Sequence, residues 1–354
     1  MRMAPFELQS KRCIVTGGNG FVGHRLCELL VERGATKVVA FDISDPKERS
    51  EGITYVKGDL TKREDVMSAC EGADVVYHVG ALVGPYHKRE AYEAVNYRGS
   101  LNVVEACKKH NIPRLVMCSS PSTRFKPPGR DLNNVKESDL EIPDTFLEEY
   151  ARTKAMGETA ALEAQDGKTF MALAIGPHQV YGEKDPLFLP NYLLAAKGGL
   201  LRIFGDGKNK VSFTYVDNIA WALICGAQAL QPGAKCCGEY FVATDDKPGG
   251  LRYWEVIDSA ITGCGMPSLT EKFKLPTPLM LPLAWACEHI IGPCIGRKIK
   301  LNVFAVKMQT INRTFDISKV KSLCGYTPLY TFEEGWKRTV DYFKEEFKAG
   351  RVKV

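Results

Sequence analysis

A doubly wound α/β fold, with a parallel sheet covered on both faces by helices and a smaller module after it, is the class this sequence predicts. Three observations predict it. Apolar runs of strand length alternate with amphipathic helical stretches between residues 11 and 120, the pattern of βαβ units and so of a parallel sheet. A glycine-rich loop directly follows the first run and opens a helix. The alternation is lost from Asp185 onward, and no low-complexity linker separates the halves.

The runs are KRCIVT (11–16), KVVAFD (37–42), ITYVKGD (53–59), ADVVYHVG (73–80) and RLVMCSS (114–120). Amphipathic segments such as Phe21 to Arg33 and Tyr92 to His110 lie between some of them. MALAIGPHQVYG (171–182) is a sixth strand leading into a Gly/Pro-rich loop, so residues 1–182 form the first domain. Residues 183–354 mainly form the second module, with some segments returning to the first.

Composition bounds the chemistry. With 45% hydrophobic and 25% charged residues the chain is an ordinary folded protein, which excludes disordered and fibrous classes. A net charge of +5 is small for 354 residues, and the cations are scattered, so nucleic acid is not an expected partner. The twelve cysteines include no CxxC and no Cys/His pairing at zinc spacing; no metal is expected, and the thiols read as reduced and buried. Residues 1–15 hold no apolar signal-peptide core and RVKV is neither a retention nor a peroxisomal tag, so a cytoplasmic-side location is expected.

The loop TGGNGFVG (16–23) sets Gly17, Gly20 and Gly23 at GxxGxxG spacing between a strand and a helix. Glycines there permit a tight turn and close backbone approach, so a pyrophosphate can sit on the N–H groups of the helix N-terminus. Asp42 closes the second strand 19 residues past Gly23, where a carboxylate accepts from ribose hydroxyls and repels a 2′-phosphate. The expected cofactor is therefore NAD, with NADP the lesser alternative because Lys47 and Arg49 lie close by. Asp59, in GDL after the third strand, either holds the adenine amino group or caps a turn.

Tyr150-Ala-Arg-Thr-Lys154 puts a phenol and an ammonium at i and i+4, on one helix face. A phenol is a poor base at neutral pH, but an adjacent cation stabilises the phenolate and draws its pKa toward the working range. Ser120, at the end of the fifth strand, adds a hydroxyl for orienting a substrate oxygen. Ser119 and Ser122 take that role if the turn shifts, since Pro121 follows Ser120 directly.

Taken together, TGGNGFVG, Asp42, GDL (58–60) and Tyr150 with Lys154 resemble the extended short-chain dehydrogenase/reductase family. Within it, AIGPHQVYGEKDPLFLP (174–190), FGDGKNKVSFTYVDNIA (204–220) and SLCGYTPLYTFEEGWKRTV (322–340) are similar to the 3β-hydroxysteroid dehydrogenase branch, and the likeness covers nearly the whole chain. The resemblance implies a Rossmann-type domain with a substrate-binding module, and oxidation of the 3β-hydroxyl of a sterol or steroid, with decarboxylation if a 4α-carboxylate is present. It implies Tyr150 as general base, Lys154 as its partner and ribose ligand, and Ser120 as the positioning hydroxyl. It implies an NAD site along Gly17, Asn19, Gly20, Phe21, Val22, Gly23, Asp42, Asp59, Leu60, Val79, Gly80 and Ala81, closed by Tyr150, Lys154, Pro177, His178 and Val180. Where the family often has Arg-Pro after the sixth strand, this chain has Gly176-Pro177.

The same scaffold serves nucleotide-sugar epimerases and dehydratases and flavonoid-type reductases, and a non-catalytic NAD-binding regulator is the alternative of another class. The run from Leu275 to Ile295 is strongly apolar and favours a lipid substrate. Its four prolines, Pro276, Pro278, Pro282 and Pro293, and the Glu288-His289 pair argue against a straight membrane span. Burial in the module's core and peripheral contact with a membrane, that of the endoplasmic reticulum by the resemblance, are the two expectations for it. A homodimer is the expected assembly.

Overall fold

The computed structural model describes residues 7–84, 87–296, 299 and 301–352; part of each terminal stretch on which the targeting expectation rests lies outside them. Seven parallel strands form the main sheet: β1 Arg12–Thr16, β2 Lys37–Asp42, β3 Ile53–Lys57, β4 Val75–His78, β5 Arg114–Cys118, β6 Met171–Pro177 and β7 Tyr240–Ala243. Their spatial order is β7-β6-β5-β4-β1-β2-β3. All six strands read from the sequence are present. Most are near-continuous apolar runs because helices cover both faces, which leaves no wet face to alternate toward. Strand order reverses between β1 and β4, so the loops after these two strands flank the crevice where doubly wound folds bind ligands.

Helix α1 (Phe21–Glu32) follows the glycine loop, and α2 (Arg63–Cys70) and α3 (Gly99–Lys109) follow β3 and β4. A π-helical stretch, Glu93–Arg98, leads into α3. Helix α4 (Glu149–Glu163) packs beside α3 and precedes β6. The second half returns to the sheet through α5 (Val216–Ala229), which packs on α1, through β7 itself, and through α7 (Ser318–Cys324). Sequence pattern missed β7 because its four residues, YFVA, are too short to register as a period.

A second core lies beyond the sheet. It is built from aromatic residues, among them Tyr181, Phe213, Tyr215, Tyr253, Trp254, Phe332 and Trp336. Helix α8 (Phe332–Lys348) closes it, started by a capping box in which Thr331 Oγ1 accepts from Glu334 N at 3.3 Å and Glu334 Oε2 accepts from Thr331 N at 2.9 Å. A small sheet ties this module to the first half, running Leu251–Arg252, Lys210–Val211, Arg313–Phe315, Leu132–Val135.

The apolar run is helical from Thr277 to Ile295, with a π-helical stretch at Cys287–Ile291, and is by length and composition long enough to cross a membrane. Pro278 sits in the first turn, where an N–H has no partner to lose, Pro282 lies inside helix α6 (Thr277–Ala286), and Pro293 follows the π-helical stretch that continues it. Core burial holds for one face only. Met280 and Ala284 pack on Val306, while Leu279 is 70% and Trp285 52% exposed, and Leu283, Ile290, Ile291 and Ile295 face solvent with them.

Candidate active site

The turn after β1 and the segment after β4 meet backbone to backbone. Gly17 has φ +68°, and a Cβ there would lie 2.5 Å from Gly80 Cα, so neither strain nor space admits another residue. A Cβ on Gly23 would run into the Gly17 carbonyl, so this glycine lets α1 seat against the turn. Gly20 caps α1, and the following N–H groups at Phe21, Val22 and Gly23 begin the helix with no carbonyl of their own turn to bond. Helix dipole and free N–H groups together make an anion seat there.

Asp42 stands beside it: Oδ2 accepts from Asn19 N at 3.1 Å, and Oδ1 from Ser44 N at 2.9 Å. Asn19 Oδ1 is buried and has no hydrogen-bond partner, an acceptor left for a ligand hydroxyl or amide. Gly80 N donates to Thr16 Oγ1 at 3.2 Å, which sets Val79, Gly80 and Ala81 along the crevice, and Leu60 packs against Gly80. The cradle therefore fits a dinucleotide: close backbone approach, an anion seat and a carboxylate at the end of β2. Asp59 is a turn cap in this structure, its Oδ1 accepting from Thr61 N at 2.8 Å.

Across the crevice, α4 carries Tyr150, Lys154 and Glu158 at i, i+4 and i+8, one stripe docked on the end of β5. Each member meets one of three consecutive residues. Lys154 Nζ donates to the Cys118 carbonyl at 2.7 Å, the Ser119 hydroxyl donates to Glu158, and Ser120 hydrogen-bonds Tyr150. Ser122 Oγ lies 2.9 Å from Ser120 Oγ. Ser119 is thus turned toward Glu158, and among the three candidate serines it is Ser120 that meets the phenol.

The electrostatics differ from the sequence expectation. Although part of the Tyr150 ring meets solvent, burial pushes its phenol above the ordinary range, the Cys118 thiol adds to this, and only the bond to Ser120 opposes it. Burial also lowers the Lys154 ammonium. Lys154 is not among the groups that act on the phenol, and its ammonium donates to the Cys118 carbonyl.

Behind this face lies an ion pair that motif reading missed. Glu158 is 0% exposed, its carboxylate held in a fork by Arg124, with Nη1 to Oε2 at 2.8 Å and Nη2 to Oε1. The Arg124 guanidinium lies 3.4 Å over the Tyr240 ring. The signal was available, since Glu158 extends the Tyr150/Lys154 stripe by one turn. Tyr240 and Pro121 also explain Gly176: a Cβ there would run into the Tyr240 hydroxyl and lie 3.1 Å from Pro121 Cδ, so an arginine has no room. Asn96, which carries no sequence signature, clamps the segment after Ala81 by accepting from Leu82 N at 2.8 Å and donating to Leu82 O at 3.0 Å.

After Pro177, His178 is buried between Phe125 and Phe315, with Nε2 3.1 Å from Arg313 Nη1. Burial, then the arginine charge, hold its pKa well below the ordinary value, so it is a neutral acceptor and no proton donor at pH 7. Val180 follows in a short parallel pair with Thr214.

The sequence profile of the 3-beta hydroxysteroid dehydrogenase/isomerase family matches residues 14–276. An Arabidopsis thaliana 3beta-hydroxysteroid-dehydrogenase/decarboxylase (isoform 1) is 33% identical, over 94% of this chain and 79% of that protein. The human sterol-4-alpha-carboxylate 3-dehydrogenase, decarboxylating, is 31% identical over 95% and 89%. A 2-alkyl-3-oxoalkanoate reductase of Stenotrophomonas maltophilia is 31% identical over 92% and 98%. Among solved structures, UDP-glucuronic acid 4-epimerase from Bacillus cereus in complex with NAD shares the fold, with TM-score 0.71 and 22% identity over 95% of this chain and 98% of that one.

Proposed function

Because this chain belongs to the 3-beta hydroxysteroid dehydrogenase/isomerase family, we propose that it is an NAD-dependent dehydrogenase oxidising the 3β-hydroxyl of a sterol that bears a 4α-carboxylate, which then leaves as carbon dioxide. The observation that carries this reading is the docking of the Tyr150/Lys154 face of α4 on the end of β5, where Lys154 Nζ donates to the Cys118 carbonyl at 2.7 Å and Ser120 acts on the phenol. Ser120 holds the substrate oxygen, Tyr150 takes the hydroxyl proton, and Lys154, one turn along the same helix face, is the ligand of a cofactor ribose. NAD, when bound, accepts the hydride from the carbinol carbon and brings a cationic ring to the site. Gly17, Gly20, Asn19 and the start of α1 hold its pyrophosphate half, and Asp42 takes the ribose hydroxyls, which favours NAD over NADP. Oxidation leaves a ketone β to the carboxylate, and the electrons of the breaking C–C bond delocalise into it, so decarboxylation follows without further catalysis by the protein.

A second reading has its own support. The 2-alkyl-3-oxoalkanoate reductase likeness suits the same residues run in reverse, with Tyr150 donating the proton to a 3-oxo acid. Both readings share one chemistry, a β-oxygenated carboxylate on an apolar body. Purified protein given NAD⁺ and a 3β-hydroxy-4α-carboxysterol is expected to form NADH, ketone and carbon dioxide in equal amounts. No NADH from the sterol, with ready reduction of a 2-alkyl-3-oxoalkanoate, would replace the first reading by the second.

The outward face of α6 supports peripheral docking on the cytoplasmic side of a sterol-bearing membrane such as that of the endoplasmic reticulum. Its inner face is packed on Val306, so the helix can lie in the interface with Leu279, Leu283 and Trp285 inserted and still belong to the module. A sterol then reaches the crevice without crossing water.

A further inference from the structure

Thr16 closes β1 and His78 closes β4, opposite each other in register, one residue before Gly17 and two before Gly80. Those two glycines meet at the floor of the cofactor crevice. Thr16, His78, Ser100 and Asn96 are each 1% exposed, and they form one chain of hydrogen bonds. Thr16 Oγ1 lies 2.7 Å from His78 Nδ1, His78 Nε2 lies 2.9 Å from Ser100 Oγ, and Ser100 Oγ donates to the Asn96 carbonyl at 2.7 Å. At the cofactor end, Gly80 N donates to Thr16 Oγ1 at 3.2 Å.

The order of donors follows from the groups themselves. Ser100 has one hydroxyl hydrogen, already used on the Asn96 carbonyl, so Nε2 supplies the hydrogen of the next bond. Burial, then the Lys154 charge, hold the imidazole down at about 3, so the ring is neutral and has no second hydrogen. Nδ1 is therefore an acceptor, and Thr16 gives it a hydroxyl hydrogen while taking the Gly80 N–H on a lone pair. The other neutral form of the ring would set two lone pairs against each other at Ser100.

The far end of the chain meets the catalytic helix. A Cβ on Gly157 would lie 2.4 Å from the Asn96 carbonyl oxygen and 2.7 Å from Ser100 Oγ, so α4 seats directly on these two atoms, three residues past Lys154. Asn96 Nδ2 also reaches Thr153 Oγ1 at 3.4 Å, next to Lys154. One buried ring thus stands between the crevice floor and the helix that carries Tyr150.

We propose that His78 is a positioning residue: through Thr16 on one side and Ser100 on the other it fixes the seat of α4 relative to the Gly17–Gly80 floor, so that cofactor affinity and the alignment of the Tyr150/Lys154 face depend on the same ring. The part of the inference that concerns turnover rests on the dehydrogenase reading above, whereas the part that concerns NAD⁺ affinity does not depend on which substrate is oxidised. Fixed donor order makes the link directional, and cutting it anywhere leaves a buried donor or acceptor without its partner.

The test cuts the chain at each end in the full-length protein, with Thr16→Val, Ser100→Ala and the double variant. Isothermal titration with NAD⁺ gives the dissociation constant separately from the number of folded sites, and NADH formed from a 3β-hydroxy-4α-carboxysterol at saturating NAD⁺ gives kcat. Each single variant is expected to raise Kd and lower kcat, both by at least about fivefold, the low end of what a buried group without its partner costs. The double variant is expected within about twofold of the worse single, because a chain cut once is already cut. Thr16→Ser, which keeps the hydroxyl and loses the methyl, restores most of what Thr16→Val loses; a packing role would make loss of the methyl the more harmful change. The inference is overturned if Thr16→Val moves only Kd and Ser100→Ala only kcat, if the two effects multiply in the double, or if only the number of folded sites falls. In ¹⁵N-histidine-labelled wild type the His78 ring is expected to carry its hydrogen on Nε2 without change from about pH 5 to about pH 8. A hydrogen on Nδ1, or titration in that range, overturns the inference whether or not the variants fold. Wild type that binds NAD⁺ and forms no NADH from the sterol overturns the dehydrogenase reading alone, and the Kd values of the variants then decide the role of His78.

Discussion

Replacing Glu158 by Gln removes one charge from a pair that has almost no contact with water. Arg124 would keep its charge at 7% exposure, with the Tyr240 ring and the Thr123 hydroxyl as its remaining close partners. Breaking a buried pair from one side costs about 3–5 kcal/mol, because the surviving charge is left without compensation. At about 2.1 cal/mol/K per residue, unfolding 354 residues carries an entropy of ~0.74 kcal/mol/K, so a loss of about 4 kcal/mol lowers the melting midpoint by about 5 °C. The double variant Arg124→Met with Glu158→Leu removes both charges and keeps the volume, and is expected to recover most of that loss. Calorimetry and urea titration of Arg124→Met, Glu158→Leu and the double give the coupling energy, expected to be at least about 2 kcal/mol. A Glu158→Gln protein within about 1 kcal/mol of wild type, or a double variant as unstable as the singles added together, would refute the account of the pair. Since Ser119 donates to the same carboxylate and is followed by Ser120, Glu158→Gln should also lower kcat more than it raises KM.

Tyr150→Phe should keep NAD⁺ affinity and lose at least about a hundredfold in kcat. Because burial holds the phenol above its ordinary range, the base form is scarce at neutral pH, so wild-type oxidation should climb as pH rises toward the alkaline side; a flat profile for wild type would contradict Tyr150 as the base. Asp42→Ala should relax the preference for NAD, since the acceptor at the end of β2 and the charge that repels a 2′-phosphate both disappear; an unchanged ratio of NAD to NADP kinetics would mean other residues decide it. Replacing Leu279, Leu283 and Trp285 together by Ser should weaken sedimentation with liposomes at least tenfold and lower the melting temperature by no more than about 5 °C, because Leu279 is mostly in water while Leu283 and Trp285 are about half buried. A triple variant that unfolds would instead mean that the outer face of α6 is covered by protein.

Local regularity was legible in the sequence. The six apolar runs became β1 to β6, most of them because a strand buried on both faces has to be apolar along its whole length, while β3 at the sheet edge is only partly buried. The glycines at 17, 20 and 23, Asp42 at a strand end, and Tyr150 one turn from Lys154 were legible for a similar reason: backbone strain, strand periodicity and helical periodicity act within a few residues of chain. Whether 277–295 belongs to the core was not, since an apolar helix reads the same until its partners are known, and here Met280, Ala284 and Cys287 are buried while most of the large apolar side chains are not. Nor did residue type disclose that Ser119 meets Glu158 while Ser120 meets Tyr150. Tertiary packing decided that, by docking α4 on the end of β5 in one register. It also decided the direction of the Tyr150 shift, because desolvation depends on everything that surrounds a group whereas the i+4 spacing reports one neighbour. His178 is the extreme case: nothing within several residues marks its surroundings, and the group that meets its ring is Arg313, 135 positions away. Contacts made across that much chain leave no local pattern, which is why the fold and the cofactor loop could be read from the sequence while the surroundings of the reacting carbon had to be seen folded.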